Sequence, residues 1–144
     1  MAGSIFAELR RNVKGALCYN LSMEERRILW TVTDPRGLSI TLTKDVWLDI
    51  IRKHQDVVPY FDAIKMTAAD PDDIYFDPES TTRRGDAAQM FAYYKSNVLS
   101  GAAADDFMTV IVKVVVEPRG RQGYVQTAYI IGRVLRRLVP EWKK

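Results

Sequence analysis

Apolar positions recur along the chain with two periods, and the switches between them predict its elements. In residues 4 to 17, Ile5, Phe6, Leu9, Val13, Ala16 and Leu17 fall at helical spacing with Arg10, Arg11 and Lys14 opposite, which predicts an amphipathic first helix. "SMEE" at 22 to 25 has the form of a capping box, but the β-branched and aromatic residues of "ILWTVT" then favour a strand. "DPRG" at 34 to 37 places Pro second and Gly fourth, as a type I turn requires, and "LSITLT" alternates behind it. Residues 28–33 and 38–42 are expected to pair as a hairpin. Thr43 can cap the next helix, with Asp45 in its first turn and Trp47, Ile50, Ile51 and His54 on one face. A further short helix is expected from about 58 to 68, ended by Asp70-Pro71, before "DIYFD" forms a short strand.

Turn and polar residues fill 77 to 88, which reads as a loop with a basic tip at Arg83 and Arg84. "QMFAYYK" at 89 to 95 alternates, and "FMTVIVKVVVE" at 107 to 117 is the most strand-like segment. Met108, Val110, Val112, Val114 and Val116 share one face, while Thr109, Ile111, Lys113, Val115 and Glu117 share the other. A strand with one wholly aliphatic face needs helices over it. The expected fold is therefore α+β: N-terminal helices and a β-hairpin, then helices on one face of a roughly four-stranded antiparallel sheet whose second face is partly open. "EPRGRQG" at 117 to 123 reads as a basic turn and "YVQTAYII" as the returning strand. The tail 132–144 reads as a short helix ended by Pro140, adding Arg133, Arg136, Arg137, Lys143 and Lys144 to the surface.

Composition narrows the function classes. The chain has 144 residues, 47% of them hydrophobic and 27% charged, which suits a single domain over 1–144. A net charge of +3 leans toward polyanionic partners. Cys18 is the only cysteine and His54 the only histidine, so neither a disulfide nor a Cys/His metal cluster can be assembled within the chain, and no metal or cofactor is expected. No apolar run reaches the roughly 18 residues of a membrane span, and the basic residues of the first helix lie inside its apolar pattern rather than ahead of it. A cytoplasmic protein without signal peptide or membrane partner is the expectation.

From 38 to 131 the order of motifs carries more. A strand ending in Leu-Thr, a Trp-bearing helix ending in Lys53-His54, a second helix, "DPDDIYFD", a Tyr-Tyr strand, a Val-rich strand with one Lys and finally "VQTAY" follow one another. This order resembles the phage-associated branch of the barnase, EndoU, colicin and RelE-like ribonuclease superfamily. That branch usually has Arg-His-Pro-Glu where this chain has Lys53-His54-Gln55-Asp56. The resemblance implies a nuclease-like core over 38–131, flanked by an N-terminal helix and hairpin strand over 1–37 and the basic tail. It also implies a metal-independent endoribonuclease of toxin or phage-effector type, with RNA as substrate and an immunity or antitoxin protein as a possible partner.

Such cleavage needs a base for the 2′-hydroxyl, an acid for the leaving 5′-oxygen and fixed charges or donors around the phosphorane. The resemblance assigns His54 as acid or base, Lys113 as the charge on the scissile phosphate, and Thr127 and Tyr129, same-facing on the next strand, as hydroxyl donors. Lys53, Arg83, Arg84, Arg119 and Arg121 are candidates to grip phosphates, and Tyr93 or Tyr94, which alternate faces, to stack a base. Plainer readings stand beside these. His54 can be a packing residue at the end of an apolar stripe, Lys113 can snorkel to solvent, Thr127 and Tyr129 are ordinary strand formers, and the loop arginines can be solvated charge. The alternative function is a catalytically degenerate RNA-binding or protein-interaction domain on the same scaffold.

Overall fold

The computed structural model describes residues 23–24, 26–84 and 88–144, the side chains of 82–84 excepted. The amphipathic segment 4–17 and the capping-box residues Ser22 and Glu25 lie outside the described residues. Seven strands form one sheet: β1 (Ile28–Thr33), β2 (Ser39–Thr43), β3 (Asp73–Phe76), β4 (Gln89–Lys95), β5 (Phe107–Glu117), β6 (Gly120–Ile131) and β7 (Val139–Lys143), in the order β1-β2-β6-β5-β4-β3-β7. Three α-helices accompany them among the described residues: α1 (Lys44–Lys53), α2 (Phe61–Ala69) and α3 (Pro78–Arg84). A 3-10 turn, Gln55–Tyr60, joins α1 to α2.

This corrects the expected four-stranded antiparallel sheet behind N-terminal helices. The β1–β2 hairpin forms as predicted, but it joins the main sheet through a parallel pair, Ile40 opposite Gly123 on β6. Gly123 makes that junction possible, because a Cβ there would lie 3.0 Å from Val112 Cγ1 and 3.2 Å from the Ser39 carbonyl oxygen. A two-stranded hairpin is marginal alone, and docking on β6 gives it a third strand. At the other end, residues 139–143 are a strand on β3 rather than a helix end. Pro140 is tolerated because β7 is an edge strand, where a missing N–H breaks no ladder on the open side. Nor is 77–88 wholly loop. Asp77 accepts the Ser80 N–H at 3.0 Å and Pro78 opens α3, the arrangement of a capping acid followed by proline at the first helical position.

One face of the sheet holds the main core. Ile50 of α1, Val57 of the 3-10 turn and Ile64 and Ala68 of α2 pack against Trp30, Ile40, Leu42, Val110, Val112, Val125 and Ala128. Fully burying a side chain such as Ile50 contributes about 1.5–3 kcal/mol, and this burial holds α1 against β6 and β2, while α2 lies over the aliphatic face of β5. The sheet curls strongly. Arg36, in the turn at one edge, pairs with Glu141 on the strand at the opposite edge at 3.2 Å. The second face is not left open over β4: Val134, Leu135 and Leu138 of the segment leading into β7 cover Ala92 and Tyr94.

Candidate active site

α1 delivers His54 to the sheet. Thr43 stands at its N-cap with extended backbone, its hydroxyl donating to the Asp45 carboxylate rather than accepting a backbone N–H. At the other end, the His54 N–H donates to the Ile50 carbonyl at 2.7 Å and the backbone then leaves helical geometry at φ −132°, ψ 77°. Gln55 therefore occupies the first position of the 3-10 turn. That position accommodates proline because its N–H is an orphan in any case, so glutamine there leaves the chain path to His54 intact.

β2 pairs with β6 only as far as Tyr124, and beyond it α1 and the 3-10 turn pack against β6. His54 meets Tyr129 there, ring centroids 5.7 Å apart and tilted by 46°. The register places the other residues. Thr109 faces Tyr129, Ile111 faces Thr127 and Lys113 faces Tyr124, with a bulge beside Gln126 that resets the alternation. Lys113, Thr127 and Tyr129 therefore share the face opposite the helical core. His54 reaches their row at the Tyr129 end.

Along that face, Tyr129 and Lys113 are separated by four residues of register, about 13 Å of backbone. Burial raises the Tyr129 phenol pKa, the Asp77 carboxylate raises it further and the Arg137 guanidinium opposes both. Those two charges lie level with Lys113, because the Asp77 N–H donates to the Met90 carbonyl at 2.9 Å and Met90 pairs with Lys113. Lys113 is half-buried and makes no ion pair or hydrogen bond among the described residues. Thr127 Oγ1 and Thr109 Oγ1 are shielded from solvent and likewise unpartnered. An unmet buried hydroxyl costs about 1–3 kcal/mol, so the face carries polar capacity that the fold itself does not use.

The binding candidates scatter. Lys53 is exposed and paired with Asp49 at 3.1 Å. Arg119 is exposed in the two-residue turn between β5 and β6. Arg121 lies on the opposite face from Lys113 by register and contacts Gln89 at 3.5 Å. Arg83 and Arg84 end α3, and their side chains fall outside the described residues. Tyr93 and Tyr94 are both fully buried, Tyr93 in the main core and Tyr94 beneath Leu138, where burial pushes its phenol up to about 12. Neither ring presents a face to a base.

Arg137 had no place in the expected site. Its guanidinium grips Asp77 and lies 4.0 Å from Glu79, so the segment crossing the second face is clasped to the start of α3. Burial alone would raise the Asp77 carboxyl, but the Ser80 N–H and the Arg137 guanidinium outweigh it and hold the group below its ordinary range. A carboxylate with a depressed folded pKa stabilises the fold above its unfolded value, about 3.9, and that stability is lost as pH falls through the folded value. Acidification below about pH 4 is thus expected to lower the unfolding midpoint, and by less in Arg137→Met, with a difference on the order of a few degrees. Parallel acid melting curves for the two proteins would remove this role from the clasp.

Among the described residues no three His, Cys, Asp or Glu side chains gather in a group suited to a metal ion, and no helix is long and apolar enough to cross a membrane. No protein-family model matches the chain, and no curated protein or solved structure matches it.

Proposed function

We propose that the chain is a small endoribonuclease of toxin or phage-effector type that cleaves RNA by 2′-hydroxyl attack without a metal ion. The observation that carries this reading is the packing of the only histidine on Tyr129, on the sheet face that also holds Thr127 and Lys113, which is unpaired among the described residues. The resemblance of residues 38–131 to the ribonuclease superfamily supplies the reaction class. His54 takes the proton of the 2′-hydroxyl as its oxygen attacks phosphorus. Tyr129, whose phenol burial keeps protonated, is the donor toward the phosphoryl oxygens or the leaving 5′-oxygen. Lys113 offsets the charge that builds on the phosphorane as the P–O5′ bond breaks. The products are a 2′,3′-cyclic phosphate and a free 5′-hydroxyl.

Incubation of tRNA, rRNA and mRNA with the full chain in EDTA tests the reading. Cutting that persists in EDTA and leaves cyclic phosphate ends is expected, with Lys113→Ala about tenfold or more slower for loss of the phosphorane charge. RNA that is bound but never cut would assign the scaffold to a binding module instead.

A further inference from the structure

The residues expected to stack a base are buried, yet the same sheet face offers another aromatic ring. Tyr124 stands on β6 directly across from Lys113 on β5 and beside Thr41 on β2, so a strand flanks it on each side. It is half-buried, as is Lys113. The segment 134–138 packs in a cluster with Ala92, Tyr94, Phe107, Ile111 and Ile131, to which neither Tyr124 nor Lys113 belongs. The Tyr124 hydroxyl donates to Glu117 at 2.7 Å, and Glu117 pairs with Gly120 at the far end of the hairpin. That bond lays the ring along the strand and fixes it before any ligand arrives, which removes an ordering cost from binding. A flat ring held on a central strand, paired in register with a lysine that has no partner among the described residues, matches the two halves of a nucleotide: a base to stack and a phosphate to pair.

We propose that Tyr124 and Lys113 form a subsite for the nucleotide on the leaving 5′-oxygen, its base stacked on the phenol ring and its 5′-phosphate, which is the scissile phosphate, on the ammonium. This rests on the ribonuclease reading and adds the substrate class: RNA that is single-stranded at that position, since a base inside a duplex has no free face to offer. The subsite lies about four residues of register from the His54–Tyr129 contact, so it serves a neighbour of the reacting ribose rather than the ribose itself. Arg119, exposed in the adjoining turn, extends the positive charge in the same direction.

The test measures binding of the full chain to a single-stranded 2′-O-methyl oligonucleotide, which lacks the free nucleophile, alongside cleavage of unmodified RNA. Tyr124→Leu keeps apolar bulk but removes the ring, and it is expected to bind about tenfold or more weakly. Tyr124→Phe keeps the ring, loses only the Glu117 bond, and should bind close to wild type. As a check that does not depend on the variant's folding, wild type should lose similar affinity for an oligonucleotide with one abasic position in the bound register. If RNA is cut but neither the leucine variant nor the abasic oligonucleotide loses affinity, the subsite falls and the ribonuclease stands. If RNA is neither cut nor bound, both fall together.

Discussion

Replacing His54 with alanine is expected to lower RNA cleavage by about 10²–10⁴-fold while leaving the melting temperature nearly unchanged. The split follows from where the ring sits. His54 lies outside α1 as its C-cap, it is only half-buried, and its one aromatic contact among the described residues is Tyr129. Removing it opens no core cavity, because the apolar stripe of α1 is anchored by Ile50 rather than by the imidazole. No other side chain in the protein is an imidazole, so none can take over the proposed role of general base. The measurement is single-turnover cleavage of a labelled RNA together with thermal unfolding. A variant that cuts at the wild-type rate would show that His54 only packs against Tyr129. A variant that loses activity and stability in proportion would point the same way.

Local chemistry made some parts of this molecule legible and nonlocal pairing hid others. The faces of β5 could be read because period-two alternation over eleven residues has one interpretation, and that alternation put Lys113 opposite the core. The helix carrying His54 was readable from Thr43, Asp45 and an apolar stripe. Asp77-Pro78-Glu79-Ser80 carried a capping signal that its polar surroundings masked, although an acid, a proline and a second acid in a row are ordinary helix-start residues. Residues 139–143 were illegible for another reason. Pro140 signals a stop when the chain is read locally, and only the partner strand, β3, reveals that it sits at a sheet edge. The same holds for Tyr93 and Tyr94. Alternation correctly gave them opposite faces, but nothing near them in sequence announces that Leu138 and its neighbours cover the second face.

The largest stability effect is expected at Asp34, which the sequence shows only as the first residue of a turn. Its carboxylate is fully enclosed and accepts the N–H groups of Arg36 at 2.8 Å and Leu38 at 2.9 Å, together with the Tyr93 hydroxyl at 2.5 Å. Arg36 Nε lies 3.6 Å away, and the guanidinium continues over the Phe91 ring and on to Glu141. One buried acid thus ties the hairpin turn, β4 and β7 together, and it sustains the curl that brings the two sheet edges within reach. Asp34→Ala would leave two N–H groups and a phenol buried without an acceptor and an arginine without its inner partner. The expected cost is about 3–5 kcal/mol, a large part of the 5–15 kcal/mol that a domain usually has. Tyr93→Phe removes one donor and keeps the acceptor, so it should cost only about 0.5–3 kcal/mol, depending on whether Arg36 and the backbone still satisfy the carboxylate. Adding Asp34→Ala to Tyr93→Phe should cost less than making it in wild type, because the phenol is no longer there to be orphaned. Urea unfolding of the four proteins measures that coupling. Strict additivity would mean that the Tyr93–Asp34 bond contributes nothing and that the turn is held by its backbone N–H groups alone.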